Sequence, residues 1–228
     1  MEFDLIAKLN AITPTLNGAE LDNYKLLLGL AAGGLAPDGD VPGDGVKAEA
    51  FKTVLNCLSH IQPNGIVWRG RPDFMTDDLL VQLQKEAVQR RGTAIQHDQH
   101  FLGCGGPLAN QLAASKSLVD LVTQQAGSMM MPTGIASYLY YDQEGCGLAP
   151  HVDTQTFTMN AILMLRHEYN NGSRAHLVIY PVNESPQRIL LEPGEFLLLF
   201  AGGTVHGREK MKVGEVVNIL TFGFLPMK

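Results

Sequence analysis

Cysteine is scarce. Cys57, Cys104 and Cys146 are an odd number with no CxxC spacing, which argues against a disulfide framework and a thiolate zinc site and fits a reducing, cytoplasmic setting. Basic residues are in deficit, 17 Lys and Arg against 23 Asp and Glu, for a formal charge of −6. Non-specific nucleic-acid affinity comes from Lys and Arg displacing counterions from phosphates, so no nucleic-acid partner is expected. No apolar run approaches bilayer length, and the opening MEFDLIAKLN carries acidic residues where a signal peptide would be basic, so no membrane segment is expected either. Only 18% of residues are charged, and there is no internal repeat or low-complexity segment, which sets aside coiled coils, solenoids and disordered chains.

What is present suits one catalytic unit. The 228 residues, 45% of them hydrophobic, can bury a real core. The pattern changes character near residue 130, dividing a mainly helical N-terminal elaboration (1–130) from a β-core (131–228) on which it packs. Helices are expected over 20–33 and 46–62, from Thr76 with its acidic Asp77 and Asp78 to Arg90 and Arg91 before Gly92, and from about Pro107 to Gln125 before Gly127. PDGDVPGDG at 37–45 reads as a mobile loop. IVWRGRPDF and residues 92–106 fit strand or loop equally. After 130 the segments are short and β-branched or aromatic: 135–141, 155–166, 174–182, 187–191, 195–200 and 214–225. NNG at 170–172 and EPGE at 192–195 supply turns. The fold class is thus α+β, with a sandwich or jelly roll whose two sheets bury a narrow pocket.

His151 and Asp153 are one residue apart, so on an extended segment both side chains project to one side and can meet one metal ion. His206, just behind the apolar strand EFLLLF, is the third ligand. Two histidines and a carboxylate on one face of an octahedral ion leave the opposite face open, the geometry of Fe(II) oxygenases. An HxD by itself also describes a surface turn, so context matters. YLYYDQEGCGLAPHVDT and EPGEFLLLFAGGTVHG both resemble the corresponding segments of the Fe(II)/2-oxoglutarate-dependent dioxygenase superfamily, a likeness that spans residues 134–225. The resemblance implies a double-stranded β-helix, Fe(II) on His151, Asp153 and His206, 2-oxoglutarate as cosubstrate and dioxygen in the last position. It further implies oxidation of a small molecule such as an amino acid or specialised metabolite, with hydroxylation as the default because Asp153 supplies the carboxylate.

One family feature is missing. Most members bind the distal carboxylate of 2-oxoglutarate with an Arg or Lys nine or ten residues past the second His, where this chain has Glu215 and Val216. A buried carboxylate needs a cation or several donors, so another group must serve. Arg166, which ends the run AILML, is the first candidate and Arg208 the second. Asn218, Tyr138 and Tyr140 could add neutral hydrogen bonds. Alternatively the chain is an iron oxygenase that does not use 2-oxoglutarate, or a non-catalytic cupin-like metal-binding module. Among the remaining residues, His97 and His100 suit a substrate-lining role better than a second metal. His60, His167 and His176 lack evident partners and read as structural. Trp68, Arg69 and Arg71 fit an anion site or a strand edge with solvated arginines. The run from Met129 to Met131 reads as adaptable packing.

Overall fold

The computed structural model describes residues 13–17, 20, 64–153, 158–169, 174–181 and 185–227. The expectations for 21–33, 37–45 and 46–62, Cys57, His60 and the NNG turn lie outside those residues. Three α-helices are described: α1 (Asp77–Arg91), α2 (Pro107–Ala113) and α3 (Lys116–Ala126). The cap expected for α1 is present. Thr76 Oγ1 accepts a hydrogen bond from Leu79 N–H, Asp77 and Asp78 sit at the positive end of the helix dipole, and Arg90 and Arg91 sit at the negative end. Leu80, Leu83 and Ala87 form its buried stripe. The single helix expected over 107–125 is instead two. Ser115 interrupts it, accepting from Leu118 N–H as the cap of α3, and Gly127 ends α3 in the left-handed conformation (φ 68°). No helix among the described residues is long and apolar enough to cross a membrane.

The strands are β1 (Ile66–Gly70), β2 (Ile95–His97), β3 (His100–Cys104), β4 (Met130–Tyr141), β5 (Leu148–His151), β6 (Met159–Glu168), β7 (Leu177–Tyr180), β8 (Gln187–Ile189), β9 (Phe196–Leu199), β10 (Val205–Arg208) and β11 (Val216–Pro226). All pair antiparallel. A seven-stranded sheet runs β1-β9-β6-β11-β4-β3-β2, and a four-stranded sheet runs β5-β10-β7-β8. The ambiguous stretches resolve as strands: IVWRG is β1, and 95–104 forms a hairpin. EPGE is a turn as expected, with Gly194 at φ 90° and Glu195 N–H bonded to Glu192 O at 2.9 Å.

The larger sheet is covered on both faces, which is why its central strands are apolar on both. Ala161, Leu163 and Leu165 of β6 and Leu220, Phe222 and Phe224 of β11 pack toward the helices. Ile162, Met164, Val217 and Ile219 face the smaller sheet, meeting Leu177, Ile179 and Ile189. The result is a double-stranded β-helix with helices on the outside of one sheet and a cavity between the two.

One irregularity in β6 matters for the site. Ile219 pairs with Met164, but its neighbour Asn218 pairs with Arg166, so Leu165 and Arg166 together oppose Asn218 in a β-bulge. Side chains alternate up to Leu165, which faces the helices; the extra residue then puts Arg166 on that same face.

Candidate metal centre and cavity

β5 and β10 are neighbours, and His151 and His206 stand directly opposite each other in their ladder. Gly207 lets the strands come this close. A Cβ there would lie 2.7 Å from Leu148 O, inside contact distance with rigid backbone. Asp153 follows β5, its N–H bonded to Ala201 O at 2.8 Å.

Both imidazoles are held in the same way. His151 Nδ1 lies 2.9 Å from Ala149 O and His206 Nδ1 lies 2.9 Å from Thr204 O. A carbonyl only accepts, so each Nδ1 carries the proton and each Nε2 keeps its lone pair. Those Nε2 atoms converge on Asp153, at 3.2 Å from Oδ1 for His151 and 3.6 Å from Oδ2 for His206. Donors bound at right angles with bonds of about 2.1 Å sit about 3 Å apart, so the three residues fit one metal ion with little rearrangement. Among the described residues this is the cluster of His, Cys, Asp or Glu that could hold one, its ligand atoms within 4.8 Å of one another. Asp153, which would accept from a protonated His151 Nε2, raises the pKa of His151, whereas burial lowers that of His206. Asn160 Nδ2 donates to Asp153 Oδ2 at 3.3 Å and steadies the carboxylate.

The triad opens on a cavity of about 480 Å³ between the sheets, lined also by Tyr141, Ile162, Ile219 and Arg208. Arg208 follows His206 by two residues on β10 and so shares its face. Its side chain is buried, Nε has no hydrogen-bond partner, and no carboxylate lies within ion-pair distance among the described residues. The guanidinium carbon lies 5.2 Å from the centre of the Tyr141 ring. Burial pushes the Arg208 pKa down and that of the Tyr141 phenol up to about 12. A buried guanidinium without a counter-charge is an anion site in waiting.

The other residues expected beside the metal are elsewhere. Arg166, carried to the helix side by the bulge, pairs with Glu168 at 2.5 Å with its side chain 43% exposed. Tyr138 and Tyr140 belong to the same helix-facing set: Tyr138 Oη donates to Glu86 Oε1 at 2.7 Å, and Tyr140 Oη to Ala87 O at 2.8 Å. Ser137, Leu139 and Tyr141 are the β4 residues that reach the cavity. Asn218 pairs with Tyr140 and Arg166 in one row across the sheet and shares their face, not the cavity.

No protein-family model matches the chain, and no curated protein matches it. Solved structures do. The non-haem alpha-ketoglutarate-dependent epimerase SnoN from nogalamycin biosynthesis, in complex with Fe3+, alpha-ketoglutarate and nogalamycin RO, is 13% identical, with 77% of this chain and 84% of that one covered and a TM-score of 0.62. A prolyl-4-hydroxylase from Pseudomonas putida is 14% identical over 73% of this chain and all of its own, at 0.56. HygX from Streptomyces hygroscopicus, bound to nickel, 2-oxoglutarate and hygromycin B, is 12% identical over 72% and 83%, at 0.57. This chain has the fold of the 2-oxoglutarate/Fe(II) oxygenases.

Within that oxygenase fold the remaining polar residues find structural uses. Glu215 is not a substitute for a cosubstrate base, because it is buried away from the cavity: it accepts from His167 Nε2 (2.9 Å), Ala175 N–H (2.6 Å) and Lys212 N–H (3.2 Å). His167 therefore has a partner, and so does His176, whose ring lies 2.9 Å from Glu209. Arg69 pairs with Glu195 and Arg71 with Asp77, stapling β1 and the start of α1 instead of forming an anion site. Asn160 and Tyr141 are site residues that the sequence reading missed. Strand alternation from Leu139 points to Tyr141, but nothing local marks Asn160.

Proposed function

We propose that the chain is a non-haem Fe(II)- and 2-oxoglutarate-dependent oxygenase that oxidises a small molecule at the cavity between its sheets. One observation carries the reading: two tautomer-locked histidines and Asp153 face the cavity that also holds the uncompensated guanidinium of Arg208. His151, Asp153 and His206 would hold the iron. With 2-oxoglutarate and dioxygen, bound Fe(II) supplies an oxidant able to take hydrogen from an unactivated carbon, with release of succinate and carbon dioxide.

The chain's own residues prepare that chemistry. The carbonyls of Ala149 and Thr204 hold both imidazoles as neutral ligands with Nε2 forward, and Asn160 keeps Asp153 oriented. Arg208 would meet the distal carboxylate of 2-oxoglutarate, assisted by the Tyr141 hydroxyl, while Ile162, Leu177 and Ile219 keep water from the pair and so strengthen it. This use of Arg208 favours 2-oxoglutarate over an iron chemistry without it. A triad facing an open cavity likewise favours catalysis over a purely structural metal.

The test is an anaerobic titration with Fe(II). A weak visible charge-transfer band appearing on addition of 2-oxoglutarate, followed by succinate release under oxygen, is the expected result. No band and no succinate would remove the proposal.

A further inference from the structure

The β2–β3 hairpin borders the cavity, contributing His97, Asp98, His100 and Leu102 to its lining. Its tip is fixed: Gln99 O accepts from Gly147 N–H at 2.9 Å, tying the hairpin to the approach of β5. His100, the first residue of β3, is 5% exposed, lines the cavity, and has a buried Nδ1 without a hydrogen-bond partner. Its ring is clamped between His97 (centroids 5.5 Å apart) and Tyr141 (5.4 Å). Leaving a buried polar atom unpaired costs about 1–3 kcal/mol, which a ligand that pairs with it recovers. Burial lowers the pKa of His100 to about 4, so the ring is neutral and hydrogen-bonds without adding charge.

The charges around the cavity narrow what can bind. Among the described lining residues outside the metal triad, the permanent charges are Arg208 and Asp98. Arg208 is committed to the cosubstrate. Asp98 sits at the hairpin tip, 78% exposed, 3.6 Å from His97. A second carboxylate or a phosphate entering here meets no cation of its own, whereas Leu102 and Leu139 offer apolar contact and Ser137 a small polar one.

We propose that the part of the cavity lined by the β2–β3 hairpin is the substrate subsite for a neutral, mostly apolar molecule that presents a hydroxyl or carbonyl to His100, and that it rejects carboxylates and phosphates. The inference rests on the oxygenase reading above and selects against free amino acids within it. His100 is then a specificity residue, since a pocket that supplies a buried hydrogen-bonding partner discriminates far more strongly than one that supplies only apolar contact.

Three probes sharing one apolar body test this on protein loaded with redox-inert Zn(II) and 2-oxoglutarate: naphthalene, 2-naphthol and 2-naphthoate. Affinities and the histidine ring nitrogen shifts are read by NMR. 2-Naphthol should bind about tenfold tighter than either of the others, the worth of one hydrogen bond, and shift the His100 ring. His100→Phe should erase the preference for 2-naphthol over naphthalene, and His100→Gln, neutral and still hydrogen-bonding, should restore most of it. Affinities for Zn(II) and 2-oxoglutarate, measured on the same samples, show that each variant is folded. Equal binding of 2-naphthoate, no binding of any probe, or an unchanged preference in His100→Phe overturns the subsite. Wild-type protein that fails to bind 2-oxoglutarate sinks the oxygenase reading and takes the subsite with it. Intact 2-oxoglutarate binding without probe preference sinks the subsite alone.

Discussion

His206 faces His151 across the β5–β10 ladder with ring centroids 4.4 Å apart, and each ring is held by the carbonyl two residues before it. The ladder therefore sets both the spacing and the tautomer of the two ligands before any metal arrives. Replacing His206 with Ala should lower Fe(II) affinity by at least about 100-fold, because one of three protein ligands is lost. Calorimetric titration under anaerobic conditions checks this, and near-native affinity would refute the triad.

Gly207→Ala offers a subtler disturbance of the same pair. Its methyl group would strike Leu148 O and push β5 from β10, so metal affinity should fall about tenfold although every ligand is retained. Equal affinity would mean that the backbone accommodates the methyl group without moving His151.

Arg208→Ala should weaken 2-oxoglutarate by about 100-fold while leaving Fe(II) affinity within about twofold, as expected when a buried charge partner is removed. Arg166→Ala should change neither. The opposite pattern would return the cosubstrate clamp to Arg166 and contradict the side-chain placement on β6.

Glu215→Ala should destabilise the fold by about 3 kcal/mol in urea denaturation, since it strands His167 and two backbone N–H groups in the interior. Metal affinity should hold. A loss of iron binding with unchanged stability would point to a role in the site.

His100 makes stability depend on pH. Its folded pKa, about 4, lies below the ordinary 6.5, so between these values the unfolded chain binds more protons than the folded one. The stabilisation from a neutral His100 is complete above about pH 6.5 and drains away as pH falls toward 4. Chemical denaturation of wild type and His100→Phe across that range should show a shallower slope in the variant; parallel curves would place the titration on other groups.

How much of this the sequence revealed depended on whether the signal was local. His151 and Asp153 lie within three residues, and His206 follows an apolar strand, so the triad could be found by reading along the chain. The cap at Thr76 was equally local. Choosing the cavity face of β4 was not, because that strand is covered on both sides and carries tyrosines on both. Alternation separates Tyr138 and Tyr140 from Tyr141 but does not say which set faces the helices. Strands β5 and β10 are short and hold Pro, Gly, His and Arg, poor β-formers whose place is fixed by pairing with distant partners. The single helix expected over 107–125 failed for the reverse reason, since Ser115 has an ordinary helical neighbourhood and its capping role becomes visible only once α3 is in place.

The extra residue at Leu165 makes the charge inside this enzyme-like chamber a matter of arithmetic along one strand. Had β6 kept strict alternation through Leu165, Arg166 would have stood on the chamber wall, giving it a second guanidinium without any change of amino-acid type. Strand register, as much as residue type, therefore decides which acids the chamber admits. An engineered deletion of Leu165 should leave Arg166 opposite Asn218 on the helix side, and newly acquired anion binding in that variant would contradict the register.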